Sequence, residues 1–429
     1  MKRTVPYLVI VFIGMMIAGS ITRADASYLT GVEAARLLES GQSLKNATVN
    51  GDIILKGRTF SKPFLIEKST ILGHLVLGGD TVSDKVVFNQ KPALVETTIE
   101  GRSIFRHAIF SKGAVFQRVA FERNADFRDT RFSGRTEFNI SSFSSLTQFN
   151  NAEFENVVFR GNRFTDNVMF LDSHFRGRAC FFQSEFQGFV LLHRTRFDHV
   201  LDLSGATFNQ RVVFRGAEFL YIRLKDVSAN KDLVELTWKQ VKGRVVDEAI
   251  STSEDRQLYA GREVPFESIR YTSRWEGVKE QYLFLSSIFK ERGQYDDADE
   301  AYYAYKITER QLMRSQMERT ASWFVDVLCG YGVKPWNTMR FGLFLVFFFA
   351  LFYYPKNAIS SSYPEHRERN TFYQKSSSAL YYSVITFTTV GTGDYYPNGI
   401  ARLVSMVEGF LGYAVMALFL VTLSMQLLR

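Results

Sequence analysis

A glycine-rich loop near the carboxyl end of the chain is the segment whose residue types are best suited to chemistry. It consists of Thr389, Val390, Gly391, Thr392, Gly393 and Asp394, and it follows ten residues of helical pattern. The two glycines allow backbone angles that a residue with a Cβ resists. A threonine hydroxyl adds an oxygen to the main-chain carbonyls, so this loop is suited to presenting oxygen atoms to a cation.

The side chains that usually mark enzymes and metal centres are scattered or missing in the rest of the sequence. The six His form no HExxH or HxH spacing, and two Cys are too few for a four-thiolate metal site or a disulfide scaffold. GxGxxG, GxxxxGK[ST] and GxSxG are absent. We therefore expect no enzyme activity, no catalytic residues and no cofactor.

Two apolar stretches flank the loop. Leu403 to Leu428 contains 26 residues with Glu408 as its one charge, which is enough to cross about 30 Å of hydrocarbon at about 1.5 Å per residue. In the earlier stretch, about 336–354, residues 341–354 are apolar on every face, unlike the single stripe of a soluble amphipathic helix. The sequence predicts spans at 336–354 and 403–428, with a short helix at 379–388 and the loop at 389–394 between them.

The order of span, short helix, glycine-rich loop and span resembles the pore of two-helix potassium channels. This resemblance implies a homotetramer in which potassium, the permeant ligand, sheds its water and is held by rings of backbone carbonyls. The implied potassium ligands are the carbonyls of Thr389, Val390, Gly391 and Thr392, together with the Thr389 hydroxyl.

The same resemblance assigns further roles to individual residues. It makes Thr389 to Asp394 the ion selectivity filter. Tyr381 and Tyr382 become filter supports, and Gly409 or Gly412 becomes the gating hinge. Thr392 departs from the family pattern, which has a Tyr or Phe there, and Ile385 stands where some members carry a carboxylate behind the filter. Selectivity for potassium over sodium therefore stays open.

A second pattern is a recurrence of Phe, replaced by Leu at 192 and 203, every five or six residues from Phe105 to Phe219. This period fits neither a helix nor an ordinary sheet, and it predicts a solenoid in which small residues and Phe point inward. Segments such as ADFRDTRF and AEFENVVF resemble the Phe-rich variety of pentapeptide-repeat proteins. That resemblance implies a right-handed quadrilateral β-helix with about 22 residues per coil and about eight coils, here over residues 44–224.

The charge of the repeat excludes one class of partner. Residues 101–220 carry 16 Lys and Arg and 12 Asp and Glu. This segment is therefore too basic to imitate the charge of DNA and not basic enough to indicate a nucleic-acid-binding surface. We expect no nucleic-acid partner. The expected partners are membrane lipid and further copies of the chain, and an unknown protein could bind the β-helix.

The remaining segments complete a multidomain architecture that ends in an all-α membrane pore domain. Residues 1–26 resemble a signal peptide, and 27–43 form a cap helix region. Residues 225–320 are predicted to be an α-helical connector with one tetratricopeptide-like hairpin, and 321–429 form the potassium-channel-like pore domain.

These features predict a multi-pass protein of the bacterial inner membrane. A cleaved signal peptide makes the soluble part periplasmic and puts the filter loop on the cytoplasmic side, whereas known potassium channels have that loop outside. Three alternatives stay open: the first segment is not cleaved and the soluble part is cytoplasmic, an extra passage lies near 321–333, or the pore is inverted. The sequence is compatible with two functions: a potassium channel, and a membrane-anchored envelope scaffold with a vestigial pore.

Overall fold

The computed structural model describes residues 28–250, 269–272, 275–355, 357–362, 372–391 and 393–427. The predicted signal peptide and Thr392 lie outside these residues. The chain divides into two compact units, residues 1–202 with 206–218, and residues 203–205 with 219–429. Each unit has its own core.

The first unit is a β-solenoid of short parallel strands. Corresponding residues of neighbouring turns are mostly 22 positions apart, as Ala120 and Ser142 are. The turn from Thr70 to Thr98 has 28 residues, because it carries the extra 3-10 turn Val82–Asp84. About nine turns stack in this way, which confirms the predicted β-helix, with one turn more than expected.

Three sheets make up the solenoid walls within this unit. The first contains Tyr28–Thr30, Thr48–Asn50, Thr70–Ile71, Thr98–Ile99, Ala120–Phe121, Ser142–Phe143, Arg163–Phe164, Glu185–Phe186 and Thr207–Phe208. The second contains Leu44–Lys45, Thr59–Phe60, Leu65–Glu67, Val87–Phe88, Ala93–Val95, Ile109–Phe110, Val115–Gln117, Arg131–Asn139, Glu153–Arg160, His174–Phe175, Ala179–Cys180 and Arg196–Asp202. The third contains Ile53–Ile54, Leu75–Val76, Ser103–Ile104, Ala125–Asp126, Thr147–Gln148, Val168–Met169, Val190–Leu191 and Val212–Val213.

The interior of the solenoid is filled by columns of stacked Phe rings. Phe138 is 0% exposed, and its ring centroid lies 4.6 Å from that of Phe116 and 4.7 Å from that of Phe159 in the neighbouring turns. Small residues such as Ala114 and Ala152 are also fully buried. The stacking confirms that the Phe period of the sequence is the period of the inward side chains.

Helix α1 (Gly31–Ser40) precedes most of these turns. Thr30 and Glu33 form a capping box at its start, and Gly41, with φ 85°, ends it. The strand Tyr28–Thr30, just before the helix, already pairs in parallel with Thr48–Asn50. The first strand of the solenoid therefore precedes the cap helix, whereas the sequence placed the solenoid after residue 43.

The second unit begins with mixed structure rather than the helical connector that the sequence predicts from residue 225. It contains the strands Ser228–Ala229 and Val234–Glu235, the 3-10 turn Lys231–Leu233, the short helix α2 (Trp238–Val241), and the antiparallel strands Asp247–Ile250 and Ile269–Thr272. A further strand, Glu218–Arg223, crosses the unit boundary. The strands after residue 225 lack the Phe period, so the sequence did not reveal them.

Two antiparallel helices, α3 (Trp275–Glu291) and α4 (Tyr295–Leu312), form a hairpin around Gly293. Its core contains Leu285, Phe289 and Ala301, which are fully buried. Helix α5 (Gln316–Cys329) follows and ends at Gly330. Its 14 residues reach about 21 Å at about 1.5 Å per residue, so α5 is too short for the extra membrane passage considered near 321–333.

Three further helices form the C-terminal part. They are α6 (Pro335–Tyr353), α7 (Phe372–Phe387) and α8 (Ala401–Leu427), together with the antiparallel strands Ile359–Ser361 and Tyr395–Pro397. Within the described residues, α6 and α8 are the two helices long and apolar enough to cross a membrane. They match the two predicted spans to within two residues at each end.

Candidate functional site

The loop starts at the end of helix α7, which is longer than the ten residues of the predicted short helix. The amide of Thr389 donates to the Thr386 carbonyl and the amide of Val390 donates to the Ile385 carbonyl, both at 3.1 Å. These bonds fix the first two loop residues to the last helical turn. Any movement of α7 therefore moves Thr389 and Val390.

Left-handed backbone angles recur at every second position of the loop. Thr389 has φ 56°, Gly391 has φ 56° and Gly393 has φ 72°. Residues of this kind at alternate positions turn successive peptide groups the same way, whereas the peptide groups of a β-strand alternate. Thr392, which the sequence assigned to the same loop, lies outside the described residues.

The far end of the loop is held by the segment that follows α6. The Ser362 hydroxyl donates to the Gly393 carbonyl at 2.9 Å and the Ser362 amide donates to the Asp394 carbonyl at 2.8 Å. The strand Tyr395–Pro397 then pairs with Ile359–Ser361. The loop therefore returns to the level at which α6 ends.

The start of the loop lies much deeper along the spans. A Cβ added to Gly412 of α8 would lie 2.1 Å from the Phe387 carbonyl oxygen, so the end of α7 touches the backbone of α8. The Phe387 ring reaches Gly342 of α6, whose ideal Cβ would be 3.2 Å from it. Helix α7 thus runs between the two long helices and ends at about the middle of α6. The loop then returns to the side of the three helices on which α6 ends and α7 begins.

The two predicted support residues have different neighbours. Tyr381 packs edge-on against Tyr395, with ring centroids 5.8 Å apart, so it contacts the strand that follows the loop. Tyr382 is buried and packs edge-on against Tyr353 of α6 at 4.8 Å. Tyr381 is therefore the nearer of the two to the returning end of the loop, and Tyr382 joins α7 to α6.

Gly409 and Gly412, the two hinge candidates, lie inside α8, which is helical from Ala401 to Leu427. Gly412 is packed against the Phe387 carbonyl, whereas a Cβ at Gly409 would be 3.8 Å from its nearest neighbour, the Thr386 carbonyl oxygen. Gly412 therefore permits a close helix crossing, and Gly409 has room for a side chain.

One carboxyl group behind the loop was not assigned a role by the sequence analysis. Glu408 is 0% exposed. The Tyr353 hydroxyl donates to its Oε2 at 2.6 Å, and its Oε1 contacts the hydroxyl of Ser383, which is also fully buried. The sequence feature that could have pointed to Glu408 is that it is the one charged residue in the second predicted span.

Ile385, where the family pattern sometimes has a carboxylate, belongs instead to an apolar cluster shared by α6, α7 and α8, with Leu345 and Val415. Within the described part of the chain, no group of three or more His, Cys, Asp and Glu side chains is placed to hold a metal ion.

Comparison with protein families identifies two parts of the chain. Residues 94–139 match pentapeptide repeats, in nine copies, and residues 341–429 match an ion channel family. No curated protein and no solved structure matches the chain. Neither family is one of enzymes in general. The chain therefore combines pentapeptide repeats with a C-terminal ion channel domain, and its two apolar helices indicate a membrane protein.

Proposed function

We propose that the protein is one subunit of a homotetrameric cation channel and that potassium passes through the loop Thr389–Asp394. The observation that carries this proposal is the re-entrant course of α7 and the loop. Helix α7 enters from one side, ends beside Gly342 and Gly412, and the loop returns to Ser362 on the same side. A segment of this shape places a short stretch of backbone at the middle of a membrane.

The backbone of the loop supports cation binding. Peptide groups that turn the same way at Thr389 and Gly391 can direct their carbonyl oxygens toward one axis, where they replace the water shell of an ion. The Gly393 carbonyl accepts a hydrogen bond from Ser362, so the proposed ligands are the carbonyls of Thr389 to Thr392. Helix α7 also points its C-terminal end, the negative end of its dipole, at this region.

The exposed faces of the long helices support assembly in lipid. Helix α8 exposes large apolar side chains that no other described part of the chain covers, among them Leu403, Met406, Phe410, Tyr413 and Leu420. Apolar residues in this number need lipid or other copies of the chain as neighbours. We propose that lipid covers one face of α8 and that the α8 helices of the other subunits meet the opposite face.

The experiment is reconstitution of the purified full-length protein into vesicles that hold a potassium gradient. Potassium flux above that of empty vesicles is expected, and Gly391→Ala is expected to abolish it because a Cβ resists the left-handed angle and crowds the axis. A folded tetramer of the parent protein without flux would contradict the channel and favour the scaffold with a vestigial pore.

Gly399 supplies a matched control for this substitution. It also has a left-handed angle, φ 51°, and a Cβ there meets nothing within 4 Å, as at Gly391. The two Ala substitutions therefore impose a similar backbone strain of about 1 to 2 kcal/mol, but Gly399 lies in the turn before α8. Gly399→Ala should conduct nearly as the parent does. Equal loss of flux in both variants would show that strain, and not the ion pathway, explains the effect.

A further inference from the structure

Glu408 joins three helices through its two carboxyl oxygens. The Tyr353 hydroxyl of α6 donates to Oε2, and Ser383 of α7 contacts Oε1, while Glu408 itself belongs to α8. Tyr353 is 2% exposed, and Ser383 and Glu408 are both 0% exposed. A carboxyl group that is inaccessible within its own chain cannot line an ion pathway, so its role must act through the groups that it touches.

The hydrogen atoms of this network can be counted. Ser383 Oγ also lies 2.8 Å from the Val346 carbonyl oxygen, which can only accept. A serine hydroxyl has one hydrogen; if that hydrogen goes to Val346, the Glu408–Ser383 contact takes its hydrogen from Glu408. A neutral carboxylic acid satisfies all three contacts in one direction, from Tyr353 to Glu408, from Glu408 to Ser383 and from Ser383 to Val346. A neutral acid also avoids an unpaired charge in the membrane interior.

The network fixes the depth of α7 between the spans. Ser383 and Phe387 lie one turn apart on α7, and Glu408 and Gly412 lie one turn apart on α8. Ser383 contacts Glu408 through the carboxyl group, and Phe387 contacts Gly412 through the close approach of its carbonyl. Two contacts one turn apart prevent α7 from sliding or rotating against α8.

The last turn of α7 transmits this position to the loop. The Ile385 carbonyl accepts a hydrogen bond from the Val390 amide, and the Thr386 carbonyl accepts one from the Thr389 amide. A shift of α7 therefore displaces the first two carbonyl-bearing residues of the loop by a similar distance. Discrimination between ions by carbonyl rings depends on where those oxygens stand.

We propose that Glu408, as a neutral hydrogen-bonding acid, is a positioning residue that sets ion selectivity by holding α7 and the start of the loop in place. This proposal rests on the proposed function, because it assigns a determinant of selectivity to the same ion pathway. Glu408 does not touch the ion.

The test compares Glu408→Gln with Glu408→Ala in reconstituted vesicles, with potassium and sodium flux measured separately. Gln keeps an acceptor for Tyr353 and a donor for Ser383, so its potassium-to-sodium flux ratio should stay within about twofold of the parent. Ala removes both contacts, and the ratio should fall about tenfold, which corresponds to about 1.4 kcal/mol. A loss of folded protein alone would scale both fluxes equally and leave the ratio unchanged.

Tyr353→Phe and Tyr354→Phe form a second, gentler pair that each remove one hydroxyl. Tyr353 is in the network, whereas Tyr354 is 40% exposed and packs on Phe372. The flux ratio should fall in Tyr353→Phe and stay at the parental value in Tyr354→Phe, even where Glu408→Ala fails to fold. Parental ratios in Glu408→Ala or Tyr353→Phe, or a ratio for Glu408→Gln as low as that for Ala, would overturn the proposal. A parent that does not conduct would instead contradict the proposed function.

Discussion

Gly409 and Gly412 are three residues apart on α8 but meet different surroundings. An Ala at 412 would bring its Cβ to 2.1 Å from the Phe387 carbonyl oxygen, a distance at which backbone must move. We expect Gly412→Ala to destabilise the protein by about 1 to 3 kcal/mol, as other overpacked positions do. Thermal unfolding of the purified protein in detergent measures this as a lower melting temperature.

Gly409→Ala is the control for that prediction. Its Cβ would lie 3.8 Å from the nearest atom, an ordinary contact, and Ala favours a helix over Gly by about 1 kcal/mol. The melting temperature should therefore stay the same or rise. A fall as large as that of Gly412→Ala would show that the helix cannot tolerate a side chain anywhere in this turn, and that the Phe387 contact is not the cause.

At the scale of elements, the turns of the solenoid depend on the Phe columns. Phe138 is fully buried between the rings of Phe116 and Phe159, so Phe138→Ala should cost about 3 to 5 kcal/mol, as for other buried Phe. Phe189 is 46% exposed, and Phe189→Ala should cost much less. Equal shifts in the midpoint of denaturant unfolding would contradict the assignment of the inward positions.

The contact of α4 with α5 depends on an ion pair that is nearly buried. Arg310 of α4 donates to Asp326 of α5 at 2.8 Å, and their side chains are 15% and 14% exposed. The Tyr303 hydroxyl also donates to Asp326 at 2.8 Å, and its burial together with this bond raises the pKa of Tyr303 to about 12. Asp326 therefore satisfies two groups at once.

We expect Asp326→Ala to destabilise the protein by about 3 kcal/mol, because it leaves the Arg310 charge poorly compensated. Glu300→Ala is the control. Glu300 is 42% exposed and lies 3.5 Å from Lys334, and exposed pairs contribute at most about 1 kcal/mol. The melting temperatures of both variants in detergent measure the difference. A change for Asp326→Ala no larger than that for Glu300→Ala would mean that the α4–α5 contact is held by apolar packing instead.

At the scale of the whole molecule, the course of α6 separates two regions of the second unit. Helix α5 precedes the start of α6, and the loop returns to the segment beyond its end. If α6 crosses the membrane, Ser315 and Tyr396, both exposed, lie on opposite sides. Ser315→Cys and Tyr396→Cys should therefore react with a membrane-impermeant thiol reagent from opposite sides of the membrane.

That labelling experiment also decides the orientation of the soluble part. Reaction of Ser315→Cys from the periplasmic side would place the connector there and the loop mouth on the cytoplasmic side, whereas the reverse result would place the loop mouth outside. Labelling of both variants from the same side would contradict a single passage through α6. The parent protein controls for background, since Cys180 and Cys329 are both buried.

Much of the fold was predictable because its signals are local and periodic. A Phe at every fifth or sixth residue defines the inward face of each turn without knowledge of any distant contact, and about 20 continuous apolar residues define a span. The glycines of the loop were visible for the same reason, because a left-handed angle is a property of a single residue. The strands between 225 and 250 carry no such period, and the sequence did not reveal them.

The network behind the loop was decided by the tertiary structure. Glu408 lies 25 positions after Ser383 and 55 after Tyr353, and Phe387 meets Gly412 only because α7 crosses α8 at that height. The sequence by itself determined that two spans surround a short helix and an oxygen-rich loop. Which residues of the spans hold that helix depends on the depth and rotation of three helices packed together, and these follow from the fit of side chains far apart in the chain.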